Sequence, residues 1–225
     1  MKRILILCEG QTESTFVRQI VAPCFEEKLF LQPVVLTTKR EGSMSKKAGG
    51  VGTYVKIRAD ICKLLRDSSA RAVTTFLDYY GLPKDFPGKA TLPKSGDIYT
   101  KVAHLEKEFE EDIQSHCGGS SHTGRFIPFI MVHEFEALLF AEPTSIGSHF
   151  GRESSKHLLR LPQPEYINDT QERHPKARII QIAHEAGRGY KPTIDGMSIA
   201  QAIGLARMRD ACPHFNAWLQ RLEQL

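Results

Sequence analysis

Five acidic side chains, Glu9, Glu13, Asp78, Glu134 and Glu136, have the types and positions that could do chemistry. Carboxylates are hard oxygen ligands, and a set with no soft donor among it suits Mg2+ or Mn2+ better than Zn2+. Magnesium held by a few carboxylates completes its shell with water and substrate phosphate. Two such ions can stabilise the attacking and leaving oxygens of a phosphodiester displacement. If Glu9 ends a strand and Glu13 lies one helical turn onward, about 6 Å along the axis, the two can face one small volume. The competing reading makes each acid a helix cap or a loop charge. His133, directly before Glu134, could ligate a metal, move a proton or orient Glu134 by a hydrogen bond, and the orienting role is preferred. Lys39, Arg40, Lys46 and Lys47 precede Gly49-Gly50-Val51-Gly52, a pattern that fits either a phosphate-holding loop or a solvated one.

Other chemistries are excluded by spacing. Gly88-Lys89 is followed by Ala90, so there is no phosphate-binding G-x-x-x-x-G-K-[ST] loop. His133-Glu134 starts like a zinc-protease H-E-x-x-H helix, but Ala137 stands where the second His is needed. No G-x-S-x-G occurs.

The elements that must position these acids follow from periodicity. Lys2–Cys8 is a nearly continuous run of branched apolar residues, as in a strand buried on both faces. A helix follows with Glu13 in its first turn and Phe16, Ile20 and Val21 on one face, ending near Pro23. Gln32–Thr38 reads as a second strand, and the spacing of Tyr54, Ile57, Ile61, Leu64 and Leu65 predicts a helix. Arg71–Leu77 is a third strand running into Asp78, followed by a Pro- and Gly-rich loop to Gly96. Asp97–His116 is an amphipathic helix, and Phe126–Val132 is a fourth strand running into His133-Glu134-Phe135-Glu136. Three of these strands finish on acids, and in open α/β sheets sites are built at the C-terminal edge. The expected architecture is therefore α/β, with a mainly parallel central sheet of about four strands flanked by helices. After Pro143 short helical pieces with prolines dominate, which predicts a core over 1–144 and a helical C-terminal region over 145–225 packed on it. Its last helix carries Phe215, Trp218, Leu219 and Leu222 on one stripe, which should pack back on the chain with Trp218 more than half covered.

At 225 residues with 41% hydrophobic and 25% charged content, the composition is that of a globular protein, not a disordered or coiled-coil one. A net charge of +4 allows a polyanionic partner without demanding one. No run approaches the roughly 18 apolar residues of a membrane span, and Met1-Lys2-Arg3 is followed by too short an apolar stretch for a signal peptide, so a cytoplasmic protein is expected. Five scattered cysteines, none in C-x-x-C, read as buried or idle thiols with no disulfide framework.

Three motifs together carry a family resemblance: Glu9-Gly10-Gln11-Thr12-Glu13, then Asp78-Tyr79-Tyr80-Gly81-Leu82-Pro83, then His133-Glu134-Phe135-Glu136-Ala137-Leu138. They resemble a bacterial Toprim-like family of unknown function related to the OLD-family nucleases. Pro164-Glu165-Tyr166-Ile167-Asn168 and Cys212-Pro213-His214-Phe215 extend the likeness along the chain. The resemblance implies a Toprim-like sheet and a Mg2+- or Mn2+-dependent nuclease. Glu9 would be its acid/base or ligand, Glu13 and Asp78 its ligands, and Glu134 and Glu136 would complete the site, with Gly10, Thr12, Gly81 and His133 in support. Toprim domains use a D-x-D pair, but Tyr80 stands two after Asp78, so a primase or topoisomerase role is not expected. The resemblance further implies nucleic acid as partner, an ABC- or SMC-like ATPase beside it and a place in defence against phage or foreign DNA; no membrane partner is expected from the lack of a long apolar run, and a homo-oligomer is left open. The alternative it leaves is a non-catalytic Toprim-like subunit that binds an ATPase or nucleic acid.

Overall fold

In the computed structural model, residues 1–36, 53–117, 124–168 and 173–225 are described. The basic stretch holding Lys39, Arg40, Lys46 and Lys47 lies outside them. The chain is α/β, with a mainly parallel five-stranded sheet flanked by helices and a helical C-terminal region. Contacts group it into two units: Met1–Ser14 with Phe25–Ile130, and Thr15–Cys24 with Met131–Leu225.

The first unit contains the sheet, in the order β2-β1-β3-β4. Strand β1 (Lys2–Cys8) lies between β2 (Leu29–Val35) and β3 (Ala70–Asp78), parallel to both, and its residues Ile4 to Cys8 are buried. Such a strand has no solvent face, which is why it reads as an unbroken apolar run. Strand β2 begins at Leu29, not at Gln32 as expected, and Pro33 lies within it. A proline cannot donate to a ladder, but β2 is the edge strand and its outer side needs no donor.

The expected strand Phe126–Val132 is two short pieces, β4 (Phe126–Ile127), parallel to β3, and β5 (Ile130–Met131), which also pairs with β3. Pro128 interrupts it. The Thr75 hydroxyl bridges the gap by donating to the Phe129 carbonyl at 2.8 Å and accepting from the Phe129 amide at 2.9 Å. Helix α1 (Gln11–Phe16) follows β1. Helix α2 (Tyr54–Leu65) buries Tyr54, Ile57, Ile61 and Leu65, and α3 (Ile98–His116) buries Val102, Leu105, Phe109 and Ile113. Asp97 caps α3, accepting from the Thr100 amide at 2.9 Å. Tyr54 lies edge-on to both Phe86 and Phe109, which are tilted against each other, in an aromatic cluster of this unit.

The expectation of unpaired cysteines needs correction: Cys62 in α2 and Cys117 at the end of α3 form a disulfide. Their separation of 55 residues hid a neighbourhood that only the packing of the two helices creates. Cys8, Cys24 and Cys212 are not disulfide-bonded.

The second unit is helical. After Phe16, α1 widens into a π-helical turn, Val17–Val21, and a short turn, Ala22–Cys24. Phe135–Ala141 is a wholly buried 3-10 segment, followed by α4 (Pro143–Phe150), α5 (Pro175–Glu185), α6 (Met197–Ile203), α7 (Leu205–Ala211) and α8 (Pro213–Glu223). The stripe on α8 is buried as expected, with Trp218 only 3% exposed. Phe16 meets both Phe135, at 5.1 Å between ring centroids, and Phe215, at 6.1 Å, so the N-terminal helical turn belongs to the core of this unit.

Candidate functional site

In the first unit the parallel register pairs Cys8 with Phe76, and the Glu9 amide extends the ladder to the Phe76 carbonyl at 3.1 Å. Glu9 and Asp78 thereby fall side by side at the C-terminal ends of neighbouring strands. The Asp78 amide donates to Glu9 Oε2 at 3.2 Å. The chain then turns through Tyr79–Gly81, bringing the Gly81 backbone onto the Glu9 carboxylate. A Cβ at Gly81 would lie 2.6 Å from Oε1 and 2.8 Å from Cδ of Glu9, and closer still to Oε2. The glycine in D-x-x-G is thus explained by close approach, since a side chain there would have to push the Glu9 carboxylate out of its place.

Glu13 is buried and turned to a different task. Its Oε2 accepts from the Gly10 amide at 2.9 Å, and Gly10 precedes the first residue of α1. This is half of a capping box, with the third helical residue reaching back to the residue before the helix. Thr12 is half-buried in the same turn.

The second unit holds the H-E-F-E residues. His133 is 1% exposed and has φ +65°, a left-handed conformation that few non-glycine residues adopt. Burial pushes its pKa down from 6.5 to about 4, against a smaller upward pull from the Glu165 main chain. Glu134 Oε1 accepts from His174 Nδ1 and from the Lys176 amide, each at 2.7 Å, so its carboxylate caps α5 at the end where the helix dipole favours negative charge. Glu136, 3% exposed, stands 3.6 Å from Lys176 Nζ. Burial, and then the neighbouring Glu136 carboxylate, raise the Tyr190 hydroxyl pKa.

Glu165 is fully buried and accepts from the His214 and Phe215 amides at 3.1 Å each, capping α8. Asp195, also buried, takes His149 Nε2 at 3.0 Å, Arg188 at 3.2 Å and the Lys191 amide at 2.7 Å. Burial opposes its charge, but these three partners together hold its carboxyl below the usual range.

Among known proteins, the model of the family described as Domain of unknown function (DUF4276) matches residues 8–223. The chain belongs to the DUF4276 family. No curated protein and no solved structure gave a match.

In this DUF4276 chain the acids expected to act together divide by role. Glu9 and Asp78 are brought together at the sheet edge, Glu13 caps α1, and the buried Glu134 and Glu136 stand beside the partly exposed His174, Lys176 and Tyr190. Among the described residues, no group of three or more His, Cys, Asp or Glu side chains forms a metal cage. No helix among them is long and apolar enough to cross a membrane. Sequence reasoning found no use for His174, Lys176 or Tyr190. Pro175 was the available signal, because proline at the first helical position marks a helix start whose free amides need an acceptor.

Proposed function

We propose that this protein is a Mg2+- or Mn2+-dependent phosphodiesterase acting on nucleic acid. The observation that carries the reading is the Glu9–Asp78 pair at adjacent parallel strand ends, with Gly81 backbone packed on the Glu9 carboxylate. The donors fit a hard divalent ion, because magnesium is usually held by one or two carboxylates and keeps water and substrate phosphate in its remaining positions. Glu9 and Asp78 would hold it. When bound, such an ion neutralises developing charge on the phosphate oxygens. Glu9, whose carboxylate is fixed by the Asp78 amide, is the group set to take or return a proton at the attacking oxygen. The three-motif resemblance to Toprim-like and OLD-family nucleases supports the same reading and adds an ATPase partner and a role against foreign DNA.

A second reading has an observation of its own. Glu13 and Glu134 are committed to helix N-termini and Glu136 stands against Lys176, so three of the five acids have structural work without a metal. A non-catalytic subunit that binds an ATPase or nucleic acid would need no more. One experiment separates the two: labelled single- and double-stranded DNA and RNA incubated with the purified chain in Mg2+ or Mn2+, alone and with a neighbouring ATPase. The nuclease reading expects cleavage that falls about 100-fold or more in Glu9→Gln and Asp78→Asn. Equal cleavage by those variants, or none by wild type in any combination, defeats it.

A further inference from the structure

The loop that follows the Glu9–Asp78 pair folds back on the turn that touches Glu9. Phe86 anchors it, 2% exposed, with Tyr54 edge-on at 5.3 Å between ring centroids and Phe109 tilted at 4.8 Å. Asp85, next to it, accepts from the Tyr54 amide at 3.2 Å, at the start of α2. Tight turns then succeed one another: the Phe86 amide donates to the Pro83 carbonyl and the Lys89 amide to the Phe86 carbonyl, each at 3.1 Å, and the Thr91 amide to the Gly88 carbonyl at 3.2 Å. Gly88, at φ +79°, takes the left-handed backbone within this reversal.

The reversal brings Lys89 back to Leu82, where its Nζ donates to the main-chain carbonyl at 2.6 Å. Leu82 is buried, and among the described residues Lys89 is the only donor that reaches this carbonyl. A buried main-chain acceptor needs a partner, and here a side-chain cation supplies it. The cation is itself partly desolvated: Lys89 is half-buried, and burial pushes its pKa down. A charged donor makes a stronger bond than a neutral one, which suits a single tie across a turn. Only Tyr79, Tyr80 and Gly81 separate Leu82 from Asp78, whose amide fixes Glu9 Oε2. Gly81, whose backbone packs on the Glu9 carboxylate, stands directly before the tie.

We infer that Lys89 is a positioning residue for Glu9: tied to the Leu82 carbonyl, it holds the Tyr79–Leu82 turn so that the Gly81 backbone keeps the Glu9 carboxylate seated on the Asp78 amide. Its effect on cleavage rests on the nuclease reading, whereas the tie itself does not. Lys89 acts through Gly81 and not on the substrate. Without the tie the loop keeps its anchors at Phe86 and Asp85, so the fold survives while the turn gains freedom. A shift of about 1 Å in a catalytic group is enough to cost roughly 100-fold in rate, so a small loosening here should be read in turnover and not in substrate affinity.

Two measurements on the full chain test this. The first is hydrogen–deuterium exchange in EDTA, read by mass spectrometry on peptides covering residues 78–82, which needs neither metal nor cleavage. Lys89→Met removes the donors and keeps the stem, and Lys89→Gln keeps polarity without charge; whichever melts as cooperatively as wild type is read. Exchange at 78–82 should quicken about tenfold or more, with peptides from β1 and α2 unchanged. Lys89→Arg, which keeps a charged donor, should restore protection. The second is cleavage in Mg2+, where the neutral variant should lose about tenfold or more in kcat with KM within about twofold. Combined with Gly81→Ala it should lose little beyond Gly81→Ala alone, because both act through one contact. Wild-type exchange at 78–82 in the neutral variant overturns the positioning role. So does a loss confined to KM, or losses that multiply in the double variant. Quickened exchange in a chain whose wild type does not cleave supports the tie and defeats the nuclease reading instead.

Discussion

At Gly81 an added methyl group has nowhere to go except into the Glu9 carboxylate. That carboxylate is the end of a flexible side chain, so Gly81→Ala should cost little stability, under about 1 kcal/mol, because the carboxylate can rotate away. Displacement by about 1 Å is enough to cost a catalytic group roughly 100-fold. The expected outcome is a variant with an almost unchanged melting temperature whose cleavage rate falls about 10- to 100-fold. Wild-type cleavage by Gly81→Ala would mean that Glu9 does not act. His133 gives a prediction of a different kind. Its folded pKa is pushed from 6.5 to about 4, so the folded state keeps a neutral ring while the unfolded chain takes up a proton below pH 6.5. The unfolded state then binds more protons between pH 6.5 and 4, and stability falls as the pH drops through that window, by at most about 3 kcal/mol. Urea unfolding at pH 4.5 and 7 checks this. His133→Asn, which tolerates the left-handed backbone, should flatten the slope whatever its own stability.

At the scale of elements, the sequence showed most clearly what is periodic and local. The unbroken run of β1, the stripes of α2, α3 and α8, and the strand ends at Glu9 and Asp78 were all legible, because burial on one or both faces writes itself into residue order. What escaped depends on long-range partners. The strands read as Gln32–Thr38 and Phe126–Val132 missed the start of β2 at Leu29 and the break at Pro128, and only the edge position of β2 and the Thr75 hydroxyl show how Pro33 and Pro128 are accommodated. Glu134 as a helix cap could not be read without knowing that α5 begins beside it, 42 positions away. The Cys62–Cys117 bridge belongs to the same class. Closing 55 residues restricts the unfolded chain, and loop-entropy reasoning puts the stabilisation at up to about 4 kcal/mol. Reductant or Cys62→Ser/Cys117→Ser should therefore lower the denaturant midpoint and steepen the slope, because the unfolded chain without the bridge exposes more surface. Mass spectrometry after alkylation without reductant should find Cys62 and Cys117 unmodified; alkylation of both Cys62 and Cys117 would refute the bridge.

For the whole molecule, the feature that decides how it can be divided is the short helical stretch Thr15–Cys24. It is encoded between β1 and β2, yet its contacts group it with Met131–Leu225. Phe16 and Val17 are fully buried there, and Phe16 lies edge-on to Phe135 and tilted against Phe215. A fragment starting at residue 131 or 145 would lack this stretch and would expose the apolar surface it covers. A fragment ending at 130 or 144 would carry the stretch without the residues that bury it. Losing one buried phenylalanine costs about 3–5 kcal/mol, comparable to the entire stability of many domains. Neither half should therefore unfold cooperatively when expressed alone, and Phe16→Ala in the full chain should destabilise by about 3–5 kcal/mol. Circular dichroism melts of the fragments 1–130 and 131–225, alone and mixed, provide the measurement. A sharp transition in isolated 131–225 would show that the helical unit is autonomous and that Thr15–Cys24 is dispensable to it.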